Sequence, residues 1–222
     1  MKKLPCNGRI FLLFLLFQTA LFAQDHKDHF LDHAVLITLA PLALVDIYDG
    51  PSYRFGSEVR AGKKLAFAVE TGGYLNYLKS TKINPKGFII KPEIKYYLEK
   101  NTKGDRKFVS LEYGFKDQEY GFKHPLLINE SPVEKKYQMF RKIHTATIKY
   151  GLSRNLGKRM NLQWYGGLGV RFLNSRRALS ETERQMINEA IDDCSLQENL
   201  IKVEGKKIAP NFQLGLRLGF GV

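Results

Sequence analysis

The stretch NFQLGLRLGFGV, residues 211–222, decides how the chain is read. Phe212, Leu214, Leu216, Leu218, Phe220 and Val222 fall on one parity, and Asn211, Gln213, Gly215, Arg217, Gly219 and Gly221 on the other. Successive side chains of a strand point to opposite faces, so strict alternation predicts a strand between two unlike environments. A helix would scatter the same residues around its circumference.

The pattern recurs upstream. Leu162, Trp164, Leu168, Val170 and Phe172 oppose Asn161, Gln163, Gly167, Gly169 and Arg171, with Tyr165 on the polar side. Ala146, Ile148, Tyr150 and Leu152 alternate with Thr145, Thr147, Lys149 and Gly151, and Val109, Leu111, Tyr113 and Phe115 with Ser110, Glu112, Gly114 and Lys116. Ile90, Ile94, Tyr96 and Leu98 oppose Lys91, Glu93, Lys95 and Tyr97; Leu65, Phe67 and Val69 oppose Ala66, Ala68, Glu70 and Gly72. Tyr53, Phe55 and Val59 oppose Arg54, Gly56, Glu58 and Arg60. The run Ala34 to Leu44, apolar on both parities and interrupted by Pro41, makes an eighth candidate strand whose faces stay unassigned. Pro92, inside the fourth, removes a ladder hydrogen bond and is expected at a bulge or rim.

Alternation alone allows an apolar interior, as in a soluble lipocalin-like calyx, or an apolar exterior, as in a membrane barrel. Three features favour the exterior. The polar parity is rich in glycine (Gly56, Gly72, Gly114, Gly151, Gly167, Gly169, Gly215, Gly219), which suits the narrow lumen of a small barrel. It also carries charges of both signs. Arg54, Arg60, Lys91, Lys95, Lys116, Lys149, Arg171 and Arg217 stand against Glu58, Glu70, Glu93 and Glu112, and buried charges are tolerated when they pair. The positive excess leaves room for a bound anion or for pairing at the mouths. Finally, the connections 60–64, 99–106 and 154–160 are short, while those at 75–87, 117–138 and 174–207 are longer, the asymmetry of bacterial outer-membrane barrels. Trp164, Tyr150, Tyr113, Tyr96 and Tyr53 on the apolar parity are available for interfacial girdles.

The totals agree. The chain has 222 residues, 35 Lys+Arg against 22 Asp+Glu for a net charge of +13, 44% hydrophobic residues and 2 Cys. That is too apolar for a disordered chain and too poor in cysteine for a disulfide scaffold, and its mean hydropathy is too polar for a bundle of membrane helices. Lys2, Lys3 and Arg9 precede the apolar run Ile10 to Phe17, which continues to Ala23, so residues 1–23 are expected to be a cleaved signal peptide. The run falls short of the roughly 20 residues a helix needs to cross a bilayer. Cys6 precedes it and leaves with the signal. Without its three basic residues the charge of +13 becomes +10, and Cys194 remains without an intrachain partner. A basic exported chain faces anionic lipid rather than nucleic acid.

Residues 24–33 form a polar lead-in, and the barrel domain spans 34–222. Asp25, His26, Asp28, His29, Asp32 and His33 crowd the lead-in, but their spacing matches no closed metal site, so neither metal nor cofactor is expected.

Gln213-x-Gly215-x-x-Leu218-x-Phe220 resembles the C-terminal signal that the barrel-assembly machinery of outer membranes reads, here extended two residues past Phe220. Between Ala40 and Phe220 the chain resembles the uncharacterised outer-membrane barrel family of Bacteroidetes-type Gram-negatives. The resemblance rests on Pro41-Leu42-Ala43-Leu44, Gly50-Pro51-Ser52-Tyr53-Arg54, Lys149-Tyr150-Gly151 and the run Tyr165 to Phe172. It implies an outer-membrane location and no established activity.

Barrels that deacylate lipid A carry a His-x-Ser pair on the lipid face. His144 has that parity, but position 146 is Ala, so the nucleophile is missing from the motif. His124 has no evident partner. In the last loop, Ser180 and Glu183 form a capping box, and Ile187, Ala190, Ile191 and Cys194 recur at helical spacing. An amphipathic helix is expected over about 181–194. Glu181, Glu183, Glu189, Asp192, Asp193 and Glu198 against Arg184 give residues 180–200 a charge of −5.

The sequence thus predicts an all-β, eight-stranded antiparallel up-and-down transmembrane β-barrel in the outer membrane. The expected role is non-enzymatic, structural or surface-interacting through long loops, carried out as a monomer among outer-membrane lipids. The competing readings are a soluble secreted lipocalin-like carrier and a lipid-modifying barrel enzyme.

Overall fold

The computed structural model describes residues 34–45, 49–76, 83–100, 105–128, 131–156, 159–178 and 204–222. The expected signal peptide, the His/Asp lead-in, Cys194 and the helix over 181–194 lie outside these residues. Each alternating segment forms a strand: β1 Val35–Leu39, β2 Ser52–Arg60, β3 Leu65–Tyr74, β4 Ile83–Lys100, β5 Arg106–Ile128, β6 Ser131–Asn155, β7 Met160–Arg177 and β8 Gly205–Gly221. Neighbours in sequence pair antiparallel, and β1 pairs with β8 to close the ring.

The pairing partners fix the stagger of the barrel. From Leu218 the ladder passes to Leu39, Phe55, Thr71, Ile90, Phe115, His144 and Phe172, and returns to β8 at Ile208, a shift of 10 residues. A stagger of this kind tilts the strands so that eight of them enclose a lumen just wide enough for side chains.

Sidedness follows parity. Ile148, Leu168, Leu111, Phe55, Phe67, Ile94 and Phe212 lie on the outside, and Leu214 reaches 86% exposure. Lys95, Lys149, Glu58, Gln163 and Thr147 are fully buried inside. An apolar belt around a charged interior is the arrangement of a transmembrane barrel. Tyr96, Tyr150 and Trp164 face outward near the short-turn end, Tyr53 near the other, and Tyr113 between them.

Three expectations are corrected. The first candidate strand does not run to Leu44. β1 ends at Leu39, and Pro41–Val45 is a 3-10 helix. Ala40 still donates to Arg54 O at 3.0 Å, but Pro41 has no N–H to continue the ladder, and its fixed φ suits the first turn of a helix. The run is apolar on both parities because Ala40 and Ala43 face inward while Leu42 and Leu44 face lipid, the i, i+3 repeat of a 3-10 turn.

Secondly, Pro92 sits at neither a bulge nor a rim. It pairs with Val69 in an unbroken β3–β4 register, and on the β5 side Ile90↔Phe115 and Glu93↔Glu112 bracket it without a shift. The register shifts of β4 lie instead at Ile83/Lys86 and Tyr97/Lys100. The missing hydrogen bond is confined to a gap in the β4–β5 ladder at Lys91 and Pro92.

Thirdly, residues 117–138 are not a loop. β5 and β6 extend to 23 and 25 residues, more than twice the roughly 9–11 that cross a bilayer, and only residues 129–130 separate them. β4 follows β5 as far as Gly121 and β7 follows β6 down from Met139, so residues 122–128 and 131–137 form a two-stranded ribbon above the barrel.

Above Phe115 and His144 the outer face turns polar. Asp117, Glu119, Lys142, Asn174 and Arg176 now face outward beside Phe140, while Met139, Ile143, Leu173 and Ala209 share the inside with buried Lys116, Gln118, Arg141, Ser175 and Arg177. This change of sign marks where lipid ends and water begins.

Candidate functional site

The lumen is built in three tiers. At the short-turn end Glu58 of β2 accepts from Lys95 Nζ and Tyr97 Oη, both at 2.6 Å, and from Gln163 Nε2 at 3.1 Å. Lys95 also donates to Gln163 at 2.7 Å, and Arg60 stands 3.9 Å from Glu58. Phe108, Ala66, Tyr97 and Tyr165 pack around this group as an apolar floor.

The middle tier centres on Arg217. Its guanidinium reaches Glu70 at 2.9 Å, Glu93 at 2.6 Å and Glu112 at 3.4 Å, bringing β3, β4, β5 and β8 together across the lumen. Lys149 bonds Glu112 and lies 3.3 Å from Glu93; Lys91 lies 3.3 Å from Glu112 and 3.9 Å from Glu70, and Arg54 lies 4.0 Å from Glu70. Ser110 donates to Glu93 at 2.6 Å. With its amide turned to suit its neighbours, Gln213 accepts from Lys91 at 2.8 Å and donates to Glu112 at 3.1 Å. Four cations here meet three carboxylates, so the tier is compensated to within one charge. Tyr165 lies beneath it, its ring 4.4 Å from Lys149 Nζ and 4.9 Å from the Arg217 guanidinium.

Glycine makes room for that ring. A Cβ on Gly215 would stand 2.1 Å from Tyr165 Cζ, and one on Gly151 2.5 Å from Phe108 Cζ. The aromatic floor and the inward glycines are therefore matched pairs.

The third tier lies towards the loop end. Asp49, fully buried, bonds Lys116 and accepts from Arg171 at 3.1 and 3.2 Å, and its carbonyl accepts from Gln118 at 2.6 Å. Arg171 donates to Asn211 at 3.2 Å, and Asn211 to Thr147 at 2.8 Å. Arg141, 1% exposed, donates to Ser175 at 3.2 Å above them. Between this tier and the middle one lies a cavity of about 400 Å³.

Arg54, Glu58, Arg60, Glu70, Lys91, Glu93, Lys95, Glu112, Lys149, Arg171 and Arg217 are thus all placed inside, each under a tenth exposed. Gln213 and Gly215 face inward, and Leu218 and Phe220 outward, on the strand that closes against β1. Alternation missed Asp49, which lies between strands, and Arg141, which lies in the stretch misread as a loop and its margin. Charge balance gave a partial signal, because the lumen cations outnumbered their acids.

His144 lies on the outer face, its Nδ1 2.6 Å from Tyr113 Oη and its ring 5.0 Å from that of Phe115. Ala146 occupies the position where a nucleophilic serine would stand. No metal-holding group of three His, Cys, Asp or Glu occurs among the described residues, and the side chain of His124 lies outside them.

A family model described as "Protein of unknown function (DUF3575)" matches residues 42–192. Among solved structures the chain is similar to the N-terminal β-barrel domain of Pseudomonas aeruginosa OprF, at 12% identity and a TM-score of 0.41, over 86% of this chain and 98% of that one. It is also similar to Neisserial surface protein A (NspA), at 13% identity and a TM-score of 0.40, over 85% and 94% of the two chains. No curated protein matches.

Proposed function

The chain belongs to the DUF3575 family of proteins of unknown function, and from that premise we propose a non-enzymatic β-barrel of the cell outer membrane with a structural or surface-interaction role. The observation that carries this reading is an apolar outer belt that gives way to a polar outer face above Phe115 and His144. A lipid-facing belt surrounds charges that are consumed in pairing with one another, which leaves the centre of the lumen plugged rather than conducting. What projects beyond the belt is a two-stranded β-ribbon, and this is the part offered to a partner.

A soluble calyx for an apolar ligand needs the opposite polarity at mid-height. A lipid hydrolase needs a nucleophile beside His144, where Tyr113 and Ala146 stand. The C-terminal Gln213, Gly215, Leu218 and Phe220 are proposed as the strand signal for the assembly machinery. Residues 1–23 are proposed as a signal peptide that directs export and is then cleaved.

Fractionation tests the location. The protein is expected in the outer-membrane fraction, released by detergent alone and showing heat-modified gel mobility; recovery as a free periplasmic protein would sink the proposal. Incubation with lipid A followed by mass spectrometry, with no mass change expected, tests the absence of lipid hydrolysis.

A further inference from the structure

The outer face just above the lipid belt sorts its charges by strand. The last apolar row runs through Phe115, His144, Phe172 and Ile208 on β5 to β8. The next outward row, two residues higher, is Asp117, Lys142, Asn174 and Lys206, and above it come Glu119, Phe140 and Arg176. The acids therefore stand on β5, and the cations on β6, β7 and β8. Lys142, Arg176 and Lys206 are exposed and form no ion pair among the described residues. Glu204, just before β8, is engaged elsewhere, accepting from Arg177 N at 3.1 Å.

Neighbouring strands lie about 5 Å apart, so Lys142 and Lys206 flank Asn174 closely enough for their long side chains to meet over it, with Arg176 one step higher on β7. Three like charges gathered in this way repel one another unless an anion joins them. A cleft of about 570 Å³ opens among Phe140, Lys142, Asn174 and Arg176, bounded by Asp117 towards β5. Two residues of a strand tilted by about 40° climb about 5 Å, and the headgroup layer of a bilayer is about 5–7 Å deep. The cations therefore stand at headgroup level, directly over the last row that faces lipid.

We propose that Lys142, Asn174, Arg176 and Lys206 form an external site for the phosphate of a membrane-lipid headgroup, whose acyl chains descend over Phe172, Ile208 and Val170. The proposal rests on the membrane reading above and adds to it a headgroup chemistry and a place. A guanidinium fork, two ammonium groups and an amide direct donors at one point, which suits the several oxygens of a phosphate. Asp117 repels an anion from the β5 side, so the phosphate is held between β6 and β8. A free phosphate leaves the apolar row below bare, and an uncharged lipid leaves the cations uncompensated. The cleft has room for the phosphate and the polyol that carries it.

The test uses the mature barrel folded in micelles of dodecyl maltoside, a detergent without phosphate. Heat-modified mobility is checked first, so that failure of the membrane reading shows before any lipid is added. Native mass spectrometry then compares dilauroyl phosphatidic acid, dilauroylglycerol, inorganic phosphate and hexaglutamate, the last standing for an acidic protein partner. One phosphatidic acid per barrel is expected, retained about tenfold over each of the others. Lys142→Gln with Arg176→Gln is expected to lower that retention about tenfold while keeping the mobility shift. Lys63→Gln with Lys107→Gln, at the short-turn end, is expected to leave it unchanged. Equal or better retention of any of the other three compounds overturns the proposal. So does an equal loss in the short-turn variant, or full retention by the folded Lys142 and Arg176 variant. Should that variant fail to fold, Lys206→Gln, with a loss of about threefold expected, decides together with the wild-type arms.

Discussion

The lower and upper halves of this barrel share strands β4 to β8 and the ladders between them, yet present different outer faces. Around Ile148, Leu168 and Leu111 the outside is apolar and the inside charged; above Phe115 and His144 the outside carries Asp117, Glu119, Lys142 and Arg176, and the inside mixes Met139, Ile143 and Leu173 with Gln118, Arg141 and Ser175. The backbone does not change, so the solvent does. Lipid rewards apolar exteriors in the first region and water rewards polar ones in the second. The two insides are also stabilised differently, the lower by ion pairs that must compensate each other and the upper by a mixture of apolar burial at Met139, Ile143 and Leu173 with polar contacts such as Arg141 to Ser175.

The largest test removes the hub of the lower half. Arg217→Leu strands Glu70, Glu93 and Glu112 beside too few cations, and breaking a buried pair costs about 3–5 kcal/mol. A marked fall in the urea midpoint in micelles is expected, with part of it restored in the double variant Arg217→Leu with Glu70→Leu. If the single variant unfolds like wild type, the network is not what holds the lumen together.

Next, a charge placed on each exterior separates the solvents. Leu168→Arg, in mid-belt, should cost about 2–4 kcal/mol, whereas the converse change Lys142→Leu in the upper half should leave the midpoint where it was. Equal effects at the two sites would erase the boundary drawn between them. A smaller effect is expected from Gly215→Val, which forces a side chain against the Tyr165 ring; overpacking of this kind costs about 1–3 kcal/mol. Gly215→Val with Tyr165→Leu should recover most of that loss, as read by thermal unfolding in detergent. The least effect belongs to the ribbon. Replacing residues 122–137 with a tight turn should leave unfolding unchanged and abolish only whatever the loop end binds; a lower midpoint would show that the ribbon supports the barrel.

The same division explains what was legible in the sequence. Where strands run between lipid and a charged lumen, every second residue must change character, and Phe212 to Val222 or Tyr53 to Arg60 announce themselves. Towards the loop end of β5 and β6 the period-two signal fades, and the strands of Asp117 to Gln138 read as a loop. The run Ala34 to Leu44 failed for another reason, because a strand and a 3-10 turn were joined in one apolar stretch. Parity placed each charge on its face, but it could not say that Arg217 meets Glu70, which lies 147 positions away. That contact depends on the stagger of eight strands, which no local pattern records. Nor could it show that β1 stops at Leu39 while β8 spans Gly205–Gly221.

The four residue pairs between β1 and β8 have a mechanical meaning as well. Every other ladder in the ring is longer, so a force applied to either end of the chain loads the shortest zip first. The barrel should peel from this line, giving up β8 and then one strand after another, while the β5–β6 ladder, the longest in the ring, is the last to part.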